Sequence, residues 1–202
     1  MARNTKPATK LQRRLIPSLI VAIALAPVVA AVVWYVNIDV WRPASTVNHG
    51  DLITPPRVVK SAPLPLLGGG TLPPDWFQHG WSLVYAGTPA CPPRCKKALY
   101  MTRQIRLALG AKMNRVQRLF IVTDHPQQAA ALRRAHPDLA VANADGPQGR
   151  AFLAQFLDDH ALGARIYLVD PRGRLMMSYP ADADPTGILA DLRRLLKYSH
   201  IG

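Results

Sequence analysis

Apolar positions fall into two regimes along the chain. The first is one unbroken run: Leu15 to Val36 holds 22 residues without a charge. At about 1.5 Å rise per residue, a helix of that length spans the hydrocarbon core of a bilayer. Pro17 lies near its start and Pro27 marks a kink. Trp34, Tyr35 and Trp41 cluster at its far end, as interfacial aromatics do. The second regime begins near Trp81, where short apolar runs alternate with helix-period patterns. Ser82–Ala86 reads as a buried strand, Pro92–Gly110 as a helix, Arg118–Thr123 as a strand and Pro126–Ala135 as a helix. Leu139–Asn143 reads as a strand, Gln148–Asp159 as a helix and Ala164–Val169 as a strand. Asp170-Pro171-Arg172-Gly173 is a β-turn that returns Arg174–Tyr179 as the second arm of a hairpin. Pro185–Tyr198 closes the pattern as an amphipathic helix with Ile188, Leu189, Leu192, Leu195 and Leu196 on one stripe.

This order predicts an α/β domain with a mostly parallel sheet, finished by an antiparallel hairpin and covered by helices. Between the regimes, residues 37–80 are rich in Pro, Gly and Thr. They read as an extended tether lying against the domain, with one short strand or hairpin at Val58–Leu67. The chain then divides into a basic tail (1–14), an anchor (15–36), a tether (37–80) and a domain (81–202).

Charge sets the expected topology. Arg3, Lys6, Lys10, Arg13 and Arg14 precede the apolar run, and the first acidic residue is Asp39. The positive-inside rule keeps that end in the cytoplasm and puts the domain on the other side of an inner membrane, the periplasm of a Gram-negative cell. A cleaved signal peptide is the competing reading. Its apolar region would be shorter, and Val32-Val33-Trp34-Tyr35 is a poor cleavage site. The formal net charge is +13. Beyond residue 38 the chain carries 20 basic and 12 acidic residues, a balance of +8. That topology argues against nucleic acid and favours anionic lipid or an acidic protein as partner.

The chain has two cysteines, four residues apart, in Gly87-Thr88-Pro89-Ala90-Cys91-Pro92-Pro93-Arg94-Cys95. The predicted strand leads into them and the predicted helix follows. Thiols at a helix start meet unpaired N–H groups and partial positive charge, which favour thiolate. Spacing i, i+4 on a helix puts both sulfurs on one face, uncovered, to close a disulfide or chelate one metal ion. Arg94 and Lys96 flank the sulfurs and strengthen both the thiolate bias and docking to an acidic partner. They are two of eight basic residues between Cys91 and Arg118, most of which read as a solvated helix face. The structural alternative is a static disulfide, but its loop is so short that it adds little stability. Met176 and Met177, adjacent on a strand, are expected on opposite faces, one of them in the core. His49, His79, His136 and His200 read as surface or tether residues.

The segment Val84-Tyr85-Ala86-Gly87-Thr88-Pro89-Ala90-Cys91-Pro92-Pro93-Arg94-Cys95 resembles the Sco/SenC family of cytochrome c oxidase assembly factors. So do Arg115–Asp124 and Ile166-Tyr167-Leu168-Val169-Asp170-Pro171-Arg172-Gly173. The resemblance, over about residues 81–198, implies a thioredoxin-like three-layer sandwich behind one N-terminal transmembrane helix. It also implies copper held by Cys91, Cys95 and a distant histidine, and service to the dinuclear copper centre of oxidase subunit II. Thiolates suit Cu(I), and imidazole suits copper in either state. In the family that histidine follows an Asp; here Asp159-His160 fits, with Leu162-Gly163 as a two-residue insertion before Tyr167. Two readings of His160 stay open, metal ligand or helix-end residue, and His125 after Asp124 is the other candidate. The alternative function is a thiol-disulfide oxidoreductase that keeps the oxidase cysteines reduced, with Cys91 attacking and Cys95 resolving. Two departures argue against generic exchange. The spacing is C-x-x-x-C, and Arg165 stands where ordinary thioredoxins place a proline facing their cysteines.

Overall fold

The computed structural model describes residues 10–37, 47–123, 129–157 and 160–199. The chain divides into two compact units, Met1–Thr46 and Val47–Gly202. In the first, helix α1 (Lys10–Val36) contains both Pro17 and Pro27. Its Pro17–Val36 portion, with mean hydropathy 2.6, is long and apolar enough to cross a membrane.

The second unit is built on six strands: β1 (Asp51–Val58), β2 (Trp81–Gly87), β3 (Val116–Val122), β4 (Leu139–Asn143), β5 (Arg165–Val169) and β6 (Arg174–Pro180). Their order in the sheet is β1-β6-β5-β2-β3-β4. The helices are α2 (Pro93–Ala108), α3 (Ala130–Ala135), α4 (Gly146–Leu157) and α5 (Pro185–Tyr198), with 3-10 turns at Trp76–His79 and Gly110–Arg115. All seven residues of β2 are buried, as expected of a central strand. It pairs in parallel with β3, from Trp81↔Val116 to Gly87↔Val122, and antiparallel with β5, from Ser82↔Val169 to Tyr85↔Ile166.

Alternation along β2 divides the core. Leu83 and Tyr85 face a cluster with α2 and α5, through Ala98, Leu99, Ile105, Ile188, Leu192 and Leu196. Val84 and Ala86 face a second cluster with Phe152, Leu153 and Phe156 of α4. Helices, sheet and helix make three layers. In α5, Pro185 takes the first helical position, and the Asp184 carboxylate accepts the Thr186 N–H at 2.9 Å. Ile188, Leu192 and Leu196 then bury fully, each contributing on the order of 1.5–3 kcal/mol.

Three sequence expectations need correction here. The sheet is not mostly parallel: only β2–β3 and β3–β4 are parallel, while β2–β5, β5–β6 and β1–β6 are antiparallel. An intervening helix permits a parallel crossover without enforcing one, and α4 returns the chain antiparallel beside β2. The stretch before Trp81 is no mere tether. Its regular strand is Asp51–Val58, ahead of the expected Val58–Leu67, which contributes isolated bridges at Pro65↔Thr71 and Leu66↔Ala142, and Val59, Leu64, Leu72 and Phe77 fill the α4-side cluster. Thr54-Pro55-Pro56 falls where pairing with β6 is interrupted, between Leu52 and Arg57. Prolines that break an edge strand in this way hide it from pattern reading. Finally, Met177 is buried in the α2–α5 cluster, as expected of one of the pair, but half-buried Met176 packs against that same cluster instead of the opposite face, where the β5–β6 ladder is irregular at Leu168/Val169.

Two buried polar hubs knit the layers. Arg118 is 1% exposed. Its guanidinium donates to Thr102 Oγ1 at 3.2 Å, to the Leu99 carbonyl at 2.5 Å, and to both Asp138 carboxylate oxygens at 3.2 and 3.1 Å. Arg106 also reaches Asp138, at 3.6 Å. These two cations therefore leave the solvated face assigned from sequence. His136, read from sequence as a surface residue, is buried beside this hub. The second hub is Asp191, which accepts the His49 N–H at 2.8 Å, the Gly50 N–H at 3.2 Å and the Tyr179 hydroxyl at 3.2 Å. His49 thus helps fasten the segment before β1 to α5.

Candidate active site: the Cys91–Cys95 turn

The site begins where β2 ends. After Gly87 the chain makes a tight turn, in which the Cys91 N–H donates to the Thr88 carbonyl at 3.1 Å. Cys91 has φ +42°, the left-handed region that non-glycine residues rarely adopt. Pro92 is extended and Pro93 opens α2 at its first position. No side chain caps the helix start, so Cys95 lies in a first turn whose N–H groups keep their positive field.

Cys91 and Cys95 form a disulfide, with their Cα atoms 5.1 Å apart. The pairing fits sequence reading in kind but differs in cause. Cys91 precedes α2, so the sulfurs do not meet as i, i+4 neighbours on one helical face. The left-handed turn brings them together instead. Nor are they uncovered: Cys91 is 1% and Cys95 2% exposed, both within the cluster shared by β2, α2 and α5. Sulfur packs well among apolar neighbours. The residues around them, Thr88, Ala90, Pro92, Pro93 and Arg94, are exposed, so the disulfide lies directly beneath a solvent-facing turn. Burial does not distinguish the two sulfurs as attacking and resolving.

Arg94 is exposed and reaches Asp182 at 3.4 Å. Its charge also acts on Tyr85, whose phenol burial pushes above its ordinary value while Arg94 pulls the other way. Lys96, directly after Cys95 in α2, is exposed as well. The Tyr85 hydroxyl donates to the Gly163 carbonyl at 3.0 Å. Gly163 has φ +79°, and a Cβ there would lie 3.3 Å from that hydroxyl and 3.8 Å from the Ala86 carbonyl. The 160–164 loop therefore crosses the end of β2 that feeds the cysteine turn.

His160 stands at the head of that loop, exposed, with its N–H donating to the Leu157 carbonyl at 2.7 Å. Asp159, Asp124 and His125 lie outside the described residues. Among the described residues, no three His, Cys, Asp or Glu side chains come together as a metal site. Arg165, in place of the thioredoxin proline, donates from Nε to Ser178 Oγ at 2.9 Å and pairs with Asp51. It ties three strands together. Sequence reading missed Asp182 and the role of Tyr85. The Leu162-Gly163 offset was the available signal, since a glycine is required where the loop approaches Tyr85 this closely.

Solved structures share this architecture. Apo Sco1 from Thermus thermophilus is 24% identical, with a TM-score of 0.62, over 76% of this chain and 99% of that one. Yeast Sco1 with copper bound is 18% identical, with a TM-score of 0.58, over 77% and 96%. Bradyrhizobium japonicum ScoI with copper bound is 20% identical, with a TM-score of 0.54, over 72% and 98%. At these identities the likeness establishes the fold, and it agrees with the resemblance carried by the cysteine segment. A comparison with curated proteins finds no match. Residues 81–199, from the first strand beside the cysteines to the end of α5, match one family directly. On that match the chain belongs to the transmembrane-like, thioredoxin-like, C-terminal domain family.

Proposed function

We propose that this protein is a membrane-anchored, Sco-like factor that handles copper for assembly of cytochrome c oxidase, with its domain on the non-cytoplasmic side. The observation that carries the reading is the Cys91–Cys95 pair at the end of β2, in a fold shared with copper-bound Sco structures. Copper is the cargo. Once the disulfide is reduced, two thiolates within bridging range form a soft donor set suited to Cu(I). His160 is the proposed third ligand, on the loop that Gly163 holds against Tyr85 and the end of β2. Arg94 and Lys96 favour the thiolate form, and Arg94, exposed beside the turn, suits an acidic partner surface. The test is Cu(I) titration of the reduced full chain in detergent. Cys91→Ser/Cys95→Ser should abolish tight binding, and His160→Ala should weaken it about tenfold, equivalent to about 1.4 kcal/mol. Equal affinity of wild type and the double cysteine variant would refute the copper role.

The closed disulfide itself favours a second reading, thiol-disulfide exchange with the copper-site cysteines of the oxidase. In that direction a reduced Cys91 or Cys95 thiolate attacks the client disulfide. The other cysteine then displaces the client thiolate, leaving the pair oxidised and the client a dithiol. A redox titration separates the readings: a midpoint below about −300 mV marks a structural disulfide that no compartment reductant opens, and excludes exchange.

A further inference from the structure

Helices α2 and α5 lie side by side over the cluster that contains the cysteines, and Arg193 of α5 donates to the Ala108 carbonyl of α2 at 3.2 Å. Their solvent side carries Lys96, Lys97, Arg193 and Lys197, joined by Lys112 from the 3-10 turn after α2; all five are exposed. Neither helix presents an exposed carboxylate of its own; the exposed acids Asp182 and Asp184 precede α5, where Asp182 pairs with Arg94 and Asp184 caps the helix. Helix α2 contains no acidic residue, and the one in α5, Asp191, is buried against His49, Gly50 and Tyr179. Among these cations stand Tyr100 (59% exposed), Leu107 (45%) and Tyr198 (70%). The Lys197 ammonium lies 5.5 Å from the Tyr198 ring centre.

We infer that this α2–α5 face docks on an anionic lipid bilayer. Two features select lipid over an acidic protein. Cations alone would satisfy an acidic protein patch, but exposed tyrosines and a leucine between them match the headgroup boundary, where amphipathic side chains bury their apolar part and keep the polar tip wet. Phosphate-bearing headgroups also supply the diffuse negative surface that a spread of lysines and arginines fits. The tether adds to this, resting on the reading of α1 as an anchor. Residues 38–46 alone separate α1 and its flanking Asn37 from Val47, a reach of at most about 36 Å. Tethering makes the encounter intramolecular, so weak surface affinity suffices. Docking brings the Cys91–Cys95 turn, which Lys96 adjoins, to headgroup level.

The test uses the full chain with vesicles of phosphatidylcholine, or of phosphatidylcholine containing one-third phosphatidylglycerol. Flotation on either composition reports the anchor. Lysine acetylation, read by mass spectrometry, reports the face independently of it. Lys96, Lys97 and Lys197 should react at least about threefold more slowly on the anionic vesicles. That difference should vanish in about 0.5 M salt, where the Debye length is only a few ångströms. Lys60, exposed beside Gln155 of α4, should react equally throughout. The Lys96→Glu/Lys197→Glu variant should lose the protection of Lys97. Equal rates on both vesicles overturn the proposal whether or not the protein floats. So does protection by polyglutamate with none from phosphatidylglycerol, which would make an acidic polypeptide the occupant.

Discussion

Arg118 and His136 show how burial reverses the meaning of a charged residue. In sequence, Arg118 is one more cation in a basic stretch; in the fold its guanidinium is spent on Thr102, Leu99 and Asp138. His136 beside it is held neutral, its pKa lowered by burial and then by the charges of Arg118 and Arg103. Burial alone would raise the Asp138 carboxyl, but Arg118, through charge and hydrogen bonding, brings it below its ordinary value. Both groups bind protons more readily in the unfolded chain, so stability falls as pH falls. The His136 contribution goes first, below an unfolded pKa of about 6.5, and that of Asp138 below about 3.9. Thermal melts should show Tm falling from pH 7 to 5, and His136→Phe should flatten that slope; an unchanged slope would remove His136 as its source. None of this is legible in sequence, because Arg118 and Asp138 meet only when α2, β3 and β4 assemble.

At the level of elements, α5 and β4 occupy the ranges that periodicity predicts, because each carries a local signal: a capped amphipathic stripe in α5 and a short apolar run in β4. Strand β1 escapes that logic, since its prolines interrupt the ladder with β6 and its apolar neighbours bury against α4 rather than within a regular pattern. The cysteine turn lies between these cases. Strand, turn and helix are visible in the residues; the left-handed Cys91 and the burial of both sulfurs are not. The 160–164 loop depends on one glycine. Gly163→Val should cost about 1–3 kcal/mol, because a β-branched residue at φ +79° is strained and its side chain meets Tyr85. Gly163→Ala should cost less. Comparing the two melts checks the claim, and equal losses would point to the backbone alone.

For the whole molecule, the disulfide matters less to stability than to chemistry. It spans four positions, and the loop-entropy relation assigns so short a closure only about 2 kcal/mol. Reduction should lower Tm by roughly 4–8 °C for a unit of this size and leave far-ultraviolet circular dichroism unchanged. A collapse of secondary structure on reduction would make the pair a structural staple. The core that keeps the unit folded is the pair of clusters on the two faces of the sheet, and the cysteines sit at the margin of one.

The fastening of the chain at Asp191 has a mechanical corollary. Val47 accepts from Arg194, and His49 and Gly50 are gripped by the Asp191 carboxylate, before the backbone enters the outermost strand. Tension arriving along the leash is therefore taken up by the last helix, as a cable gland takes the load off the wiring behind it.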